Sequence, residues 1–205
     1  MAKSHQNRIK AIVLGASAGG LTALQTLLAQ LPKTFPVPIL VVQHIAADSG
    51  NTLAKLLGRA SKLLVKEAEE CELIQAGTVY ISAANYHLLV EMNATLSLST
   101  DAPVSFARPS IDILFESAAM AFGAGLIAVI LTGANSDGSL GMKKVAENGG
   151  ITIIQDLQDA EVPFMPAAAL SALPKGADYV VPLAQLGALL QKLSHLPDRR
   201  IVHDK

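Results

Sequence analysis

Short aliphatic runs alternate along the chain with longer segments whose apolar positions recur at helical spacing. KAIVLGA (10–16) reads as a strand, and Leu21, Leu24, Leu27, Leu28 and Leu31 then form one apolar helical face. PILVVQH follows as a second strand, its start fixed by Pro36 and Pro38. A helix over about residues 51–60 comes next, with Leu53, Leu56 and Leu57 on its buried side. The stretch from Lys62 to Thr100 has a different rhythm. KLLVKEA, TVYISA, YHLLVEM and ATLSLS are separated by turn-like Ala76-Gly77, Ala84-Asn85 and Asn93, which predicts short strands, some paired as hairpins.

From Pro109 the strand–helix alternation resumes. Ser110 is the expected N-cap of a helix to about Phe122, with Asp112 in its first turn where the helix dipole favours an anion. LIAVILT, a glycine-rich turn, a helix to about Asn148, GITIIQ, a short helix over Pro166 to Leu173, DYVVPL and a closing helix complete the chain. The pattern predicts an α/β fold, a doubly wound, mostly parallel sheet with helices on both faces and a short β-hairpin region. One domain over residues 10–195 is expected, with flexible tails at 1–9 and 196–205. No linker-like or repeated segment divides it.

Composition narrows the functional classes. Of 205 residues only 16% are charged and 51% are hydrophobic, with a net charge of −1, so neither a disordered chain nor a polyanion grip by bulk charge fits. Trp is absent and aromatics total 4%, which leaves little material for stacking bases or sugars, and no nucleic-acid partner is expected. Ser117 to Ser136 carries no charge and is long enough to suggest a membrane span. Gly123 and Gly125 interrupt it between a helical SAAMAF and a strand-like LIAVILTG, so a helix beside a buried strand is expected and membrane insertion is not. Only six apolar or small residues separate Lys10 from Ser17, too few for a signal-peptide core, and a cytoplasmic location is expected. The single cysteine, Cys71, can form no internal disulfide. No metal-ligand spacing occurs, and neither a metal nor a cofactor is expected.

The sharpest local feature is Gly15-Ala16-Ser17-Ala18-Gly19-Gly20, between a strand and a helix. It fits the G-x-S-x-G elbow, in which small neighbours permit a tight turn that lifts a serine hydroxyl to the sheet edge. The backbone N–H of Ala18 would then be one oxyanion donor. The same string also fits a glycine-rich β-to-α turn that packs closely or holds a phosphate. A dinucleotide site is excluded by the missing G-x-G-x-x-G and the missing carboxylate after the second strand, and a P-loop by the missing GK[ST].

A serine needs a base. Among five histidines, His5 and His203 lie near the termini, His195 follows the last helix and His87 opens a hairpin strand. His44 alone directly follows a parallel strand, on the edge shared with Ser17. Its alternative is a cap or a satisfied core imidazole. Asp137, at the carboxyl end of LIAVILT, is the candidate orienting carboxylate, its alternative being an N-cap for the helix near Ser139. Asp48 and Asp156 are weaker rivals. Arg108 could reach a substrate carboxyl group or simply lie on the surface, and the run from Lys66 to Glu72 reads as a solvated edge.

Taken in order, VLGASAGGLTAL, VVQH, KEAEE with AGTVYIS and His87, RPSIDILFESAA, VILTGANSDGSLGM, GGITIIQD and FMPAAAL resemble the protein-glutamate methylesterase domain of bacterial chemotaxis over nearly the whole chain. The resemblance implies Ser17 as nucleophile, His44 as general base and acid, Asp137 as orienting carboxylate, and Ala18 and Ala134 in the oxyanion and substrate-binding region. It implies hydrolysis of glutamate methyl esters on methylated cytoplasmic helices of chemoreceptor-like proteins, with glutamine deamidation as a companion activity. A catalytically weak adaptor of the same fold and an anion- or nucleotide-binding α/β module are the alternative readings.

The sequence departs from that pattern at four places. Ala18 stands where threonine is frequent, and Thr132 to Gly138 stand against TGMGxDG, with Ala134 at the methionine. Ala46 replaces a proline, and Asp159 to Pro163 replace a stretch closer to SxxV. Many members carry an N-terminal receiver domain. This chain is expected to act without one, with a separate response-regulator partner as the implied source of control.

Overall fold

A computed structural model describes residues 9–44 and 52–195; the expected tails at 1–9 and 196–205, Ile9 excepted, and positions Ala46, Asp48 and Asn51 lie outside the described residues. Among the described residues nine strands occur in chain order: β1 (Ala11–Ala16), β2 (Ile39–Gln43), β3 (Leu64–Glu67), β4 (Thr78–Ile81), β5 (His87–Val90), β6 (Leu96–Ser99), β7 (Leu126–Ile130), β8 (Ile151–Gln155) and β9 (Tyr179–Val181). The helices are α1 (Gly20–Ala29), α2 (Thr52–Ala60), α3 (Ile111–Phe122), α4 (Ser139–Glu147), α5 (Phe164–Ser171) and α6 (Leu183–Ser194). Seven strands form one parallel sheet in the order β3-β4-β2-β1-β7-β8-β9, and β5 with β6 makes a separate antiparallel pair.

The aliphatic character of the strands follows from their position between two helical layers. Ile12, Leu14 and Ala16 of β1 face the layer built from α1, α2 and α6, whereas Ala11 and Val13 face α3, α4 and α5. Such fully buried side chains contribute roughly 1.5–3 kcal/mol each. The uncharged stretch from Ser117 to Ser136 is the end of α3, a single 3₁₀ turn at Gly123–Gly125, strand β7 and the loop after it. Among the described residues no helix is long and apolar enough to cross a membrane.

The expected hairpin region resolves into two different pairings. Strands β5 and β6 pair antiparallel, His87 opposite Ser99, as their spacing predicts. Strands β3 and β4 instead run parallel at the edge of the main sheet. Their connection is long enough to cross over, and it leans on the antiparallel pair through a bridge between Leu73 and Thr95. Helix α5 starts at Phe164, two residues before the expected Pro166. A proline within the first turn forfeits no helical hydrogen bond, because the first N–H groups have no partner inside the helix.

From β1 the chain winds to β2 on one side, while from β7 it winds to β8 on the other, which makes the neighbouring ends of β1 and β7 the switch point of the sheet. A crevice opens at such a point beyond the carboxyl ends of the strands. Ser17, His44 and the loop from Thr132 to Gly138 all lie just beyond those ends.

Helices α3 and α4 meet closely below this crevice. A Cβ at Gly141 would stand 2.6 Å from Phe115 Cβ and 3.1 Å from Asp112 Cα, closer than packed atoms approach. Gly141→Ala should therefore force the two helices apart and cost about 1–3 kcal/mol in denaturant-induced unfolding. An unchanged unfolding midpoint would show that the contact yields freely.

Candidate active site

The Ser17 turn is fixed by its backbone. The Ser17 N–H donates to the Thr132 carbonyl at 3.0 Å, and the Ser17 carbonyl accepts from Gly20 N–H and from Gln43 Nε2, each at 2.8 Å. Gln43 also donates to the His44 carbonyl at 2.9 Å, so one buried carboxamide ties the Ser17 turn to the end of β2. Any side chain at Gly20 would run into that carboxamide. Thr132 Oγ1 donates to the Ala18 carbonyl at 2.8 Å and accepts from Val162 N–H at 2.8 Å, while Gln155 Oε1 accepts from Thr132 N–H at 2.9 Å. Gln43, Thr132 and Gln155 had no role in the sequence reading. Their common signal is a polar residue at or just past the end of an otherwise aliphatic buried strand.

His44 lies between the other two candidates. Its Nδ1 is 3.2 Å from Ser17 Oγ and its Nε2 is 2.8 Å from Asp137 Oδ2. Asp137 is fully buried and heavily satisfied. Oδ1 accepts from Ser110 Oγ at 2.9 Å, Gly138 N–H at 3.0 Å and Asp112 N–H at 3.1 Å, and Oδ2 accepts from Ile111 N–H at 2.7 Å. Burial alone would push this carboxyl up; the hydrogen bonds from His44, Ile111, Asp112 and Ser110 outweigh it and hold Asp137 below its usual value. An ionised carboxylate only accepts, so Nε2 carries the imidazole proton and Nδ1 turns its lone pair toward Ser17.

These contacts change two expectations. Asp137 does not cap the helix that follows it: Gly138 occupies that position, and the carboxylate instead caps α3. Ser110 has the extended backbone of an N-cap, yet its hydroxyl donates to Asp137 rather than accepting from its own helix. Asp112 completes an exchange, taking the Gly141 N–H of α4 on its Oδ1 at 2.7 Å. Burial, followed by the charges of Asp137 and Glu116, pushes Asp112 up to about 6 despite that bond.

The remaining candidates fall into supporting places. Ala18 is exposed, and its N–H donates to no described residue; Ala134 is exposed in the loop after β7, outside the residues that line the cavity at Ser17. His87 is buried, accepting from Ser110 N–H on Nδ1 and donating from Nε2 to the Ala102 carbonyl, each at 3.2 Å, which braces the entry to α3. His195 ends α6, Asp156 Oδ1 accepts from Gln158 N–H in a turn, and Cys71 is exposed. Lys66 pairs with Glu69 and Glu72 along an outer edge. No cluster of metal-ligating side chains occurs among the described residues.

A cavity of about 430 Å³ opens over the site, lined by Ser17, His44, Asn135 and the segment Ser105 to Pro109. Val104 and Ala107 exchange N–H···O bonds at 3.1 and 2.9 Å around a two-residue turn, with Ser105 and Phe106 at φ 50° and 63°. Arg108 clamps the base of this finger, donating to the Thr100 and Asp101 carbonyls at 2.7 and 3.0 Å and twice to Asn85 Oδ1. Four of its five N–H groups are thus used within the chain, and Arg108 also lines the cavity. Phe106 at the tip is fully exposed, an apolar ring held in a backbone conformation that bulky residues avoid.

The raised value of Asp112 fixes a pH dependence. A carboxyl that holds its proton more tightly folded than unfolded loses stabilisation as pH rises from about 4 through about 6. Asp112→Asn keeps an acceptor for Gly141 N–H and removes the charge beside Asp137. Thermal unfolding of this variant should lack the Asp112 component of the slope between pH 4 and 6 and be at least as stable as the parent at pH 7; an unchanged slope would count against the buried repulsion.

Known proteins resemble this chain over most of its length. The CheB methylesterase family model matches residues 12–190. The chain is 47% identical over 184 residues to a putative protein-glutamate methylesterase/protein-glutamine glutaminase of Leptospira interrogans serovar copenhageni, covering 90% of this chain and 94% of that one. It is 40% identical over 186 residues to protein-glutamate methylesterase/protein-glutamine glutaminase 1 of Carboxydothermus hydrogenoformans, covering 88% of this chain and 54% of that longer relative. The crystal structure of the Thermotoga maritima CheB methylesterase catalytic domain superposes with a TM-score of 0.85 at 36% identity, covering 90% of this chain and 98% of that one. With a parallel sheet of matching architecture and a family match running from β1 into α6, the chain belongs to the CheB methylesterase family.

Proposed function

We propose that this chain is a serine hydrolase that removes methyl esters from glutamate side chains on helical, chemoreceptor-type proteins in the cytoplasm, and that it deamidates glutamine at the same site. The observation that carries this reading is the unbroken hydrogen-bond succession from Ser17 Oγ through His44 to the buried Asp137, opening into a cavity at the sheet's switch point.

In the proposed reaction, Ser17 Oγ bonds to the ester carbonyl carbon as its proton passes to His44 Nδ1, and the carbonyl π pair moves onto oxygen. Asp137 stabilises the imidazolium. Collapse of the tetrahedral species breaks the bond to methoxide, which takes the proton from Nδ1 and leaves as methanol. Water then attacks the acyl-enzyme with His44 again accepting its proton, releasing glutamate and restoring Ser17. A glutamine side chain follows the same course with ammonia as leaving group, which needs that proton even more than methanol does. The Ala18 N–H, unclaimed by any described residue, is a backbone donor for the oxyanion.

Substrate docking is assigned to the finger at the cavity rim. An exposed phenyl ring beside the nucleophile suits the apolar face of a helix that presents its ester to Ser17. Phe106→Ser should raise KM several-fold on a methylated receptor fragment with kcat within about twofold; an unchanged KM would remove the finger from recognition.

Methanol release from methylated receptor cytoplasmic fragments tests the whole reading. Ser17→Ala should lose several orders of magnitude in rate. Equal rates for the two proteins would overturn the assignment.

A further inference from the structure

Among the described residues, Asn135 is the one side chain at the site that touches the reacting nitrogen and has no part in the mechanism above. Its Nδ2 lies 3.2 Å from His44 Nδ1, the same distance as Ser17 Oγ, and it lines the cavity. The orientation of the carboxamide is fixed independently, because Oδ1 accepts the Asp137 N–H at 3.1 Å, leaving the NH₂ end to face the imidazole. With Nε2 donating to Asp137, Nδ1 has a single lone pair and two donors directed at it, Ser17 O–H and Asn135 N–H. Both contacts are long for hydrogen bonds, as expected of one acceptor shared by two donors.

Proton transfer makes this arrangement untenable. Once Nδ1 has taken the Ser17 proton it is itself a donor, and an amide N–H facing it has nothing left to donate to. At that moment a carbonyl carbon is bonded to Ser17 Oγ and its oxygen carries the displaced electron pair, in the cavity that Asn135 lines. We infer that the Asn135 carboxamide is a side-chain oxyanion donor, parked on His44 Nδ1 at rest and released to the substrate oxygen by the proton transfer that creates the negative charge. It makes its productive bond only after the serine has been deprotonated, so it favours the transition state over the ground state. The inference rests on the hydrolase reading given above.

Two variants separate a donor from a brace. Asn135→Ala removes the NH₂ and the acceptor for Asp137 N–H together, whereas Asn135→Asp keeps that acceptor and replaces the donor by a negatively charged oxygen. Methanol release from a methylated receptor fragment should show kcat reduced roughly 10²-fold in Asn135→Ala. It should fall further in Asn135→Asp, where a carboxylate faces the developing charge, with KM within about twofold in both. Full activity in Asn135→Asp with loss in Asn135→Ala would assign the residue to holding the Asp137 loop and overturn the inference. So would wild-type kcat in both, or a change confined to KM. Ser17→Ala assayed alongside keeps the two claims apart: an inactive Ser17 variant with unaffected Asn135 variants defeats the donor alone, and an active Ser17 variant defeats the hydrolase reading.

Discussion

Everything at the site depends on an exchange of carboxylates between two helix N-termini. Asp137, in the loop leading into α4, takes the first amides of α3; Asp112, in the first turn of α3, takes an amide from the first turn of α4. Each helix satisfies amides that have no partner of their own with a side chain from beside the other. The two N-termini are thereby locked at one spacing, which the missing side chain of Gly141 permits. An ionised carboxylate could not otherwise be held fully buried. The charge that orients His44 is thus supported by the fold's own capping, and the raised proton affinity of Asp112 is the cost of placing a second carboxyl behind it.

Much of this was legible in the chain. The strand-end rule brought Ser17, His44 and Asp137 to one edge because a parallel sheet aligns all its carboxyl ends on one side. Periodicity found the strands because burial on both faces leaves them nearly all aliphatic, as in LIAVI and ILVVQ. It could not tell that β3 joins the main sheet, since its half-buried pattern is that of any edge strand, and the parallel pairing is decided by a crossover that carries no helix.

What escaped the sequence reading shares a physical cause. Gln43, Thr132 and Asn135 act through polar contacts between residues far apart in the chain, and neither hydrophobic period nor helix-cap rules register them. Asn135 did leave a trace: it stands where the TGMGxDG pattern has a glycine, so a side chain enters the site where the pattern supplies only backbone. The cap alternative for Asp137 was sound chemistry assigned to the wrong helix, while Ser110 takes its expected N-cap position on α3 and spends its hydroxyl on Asp137. A capping residue is recognised by what precedes a helix in sequence, and here the acceptor comes from a loop 27 positions away.

The bond from Ser17 N–H to the Thr132 carbonyl ties the residue just past β1 to the loop that follows β7. Ser17, the proposed nucleophile, is therefore fastened at its main chain to the end of the sheet. Its amide is held in a hydrogen bond that opens only with that junction, although its side chain lines the cavity. The main chain at Ser17 is fixed by these bonds, and its Oγ moves only by side-chain rotation about that fixed point.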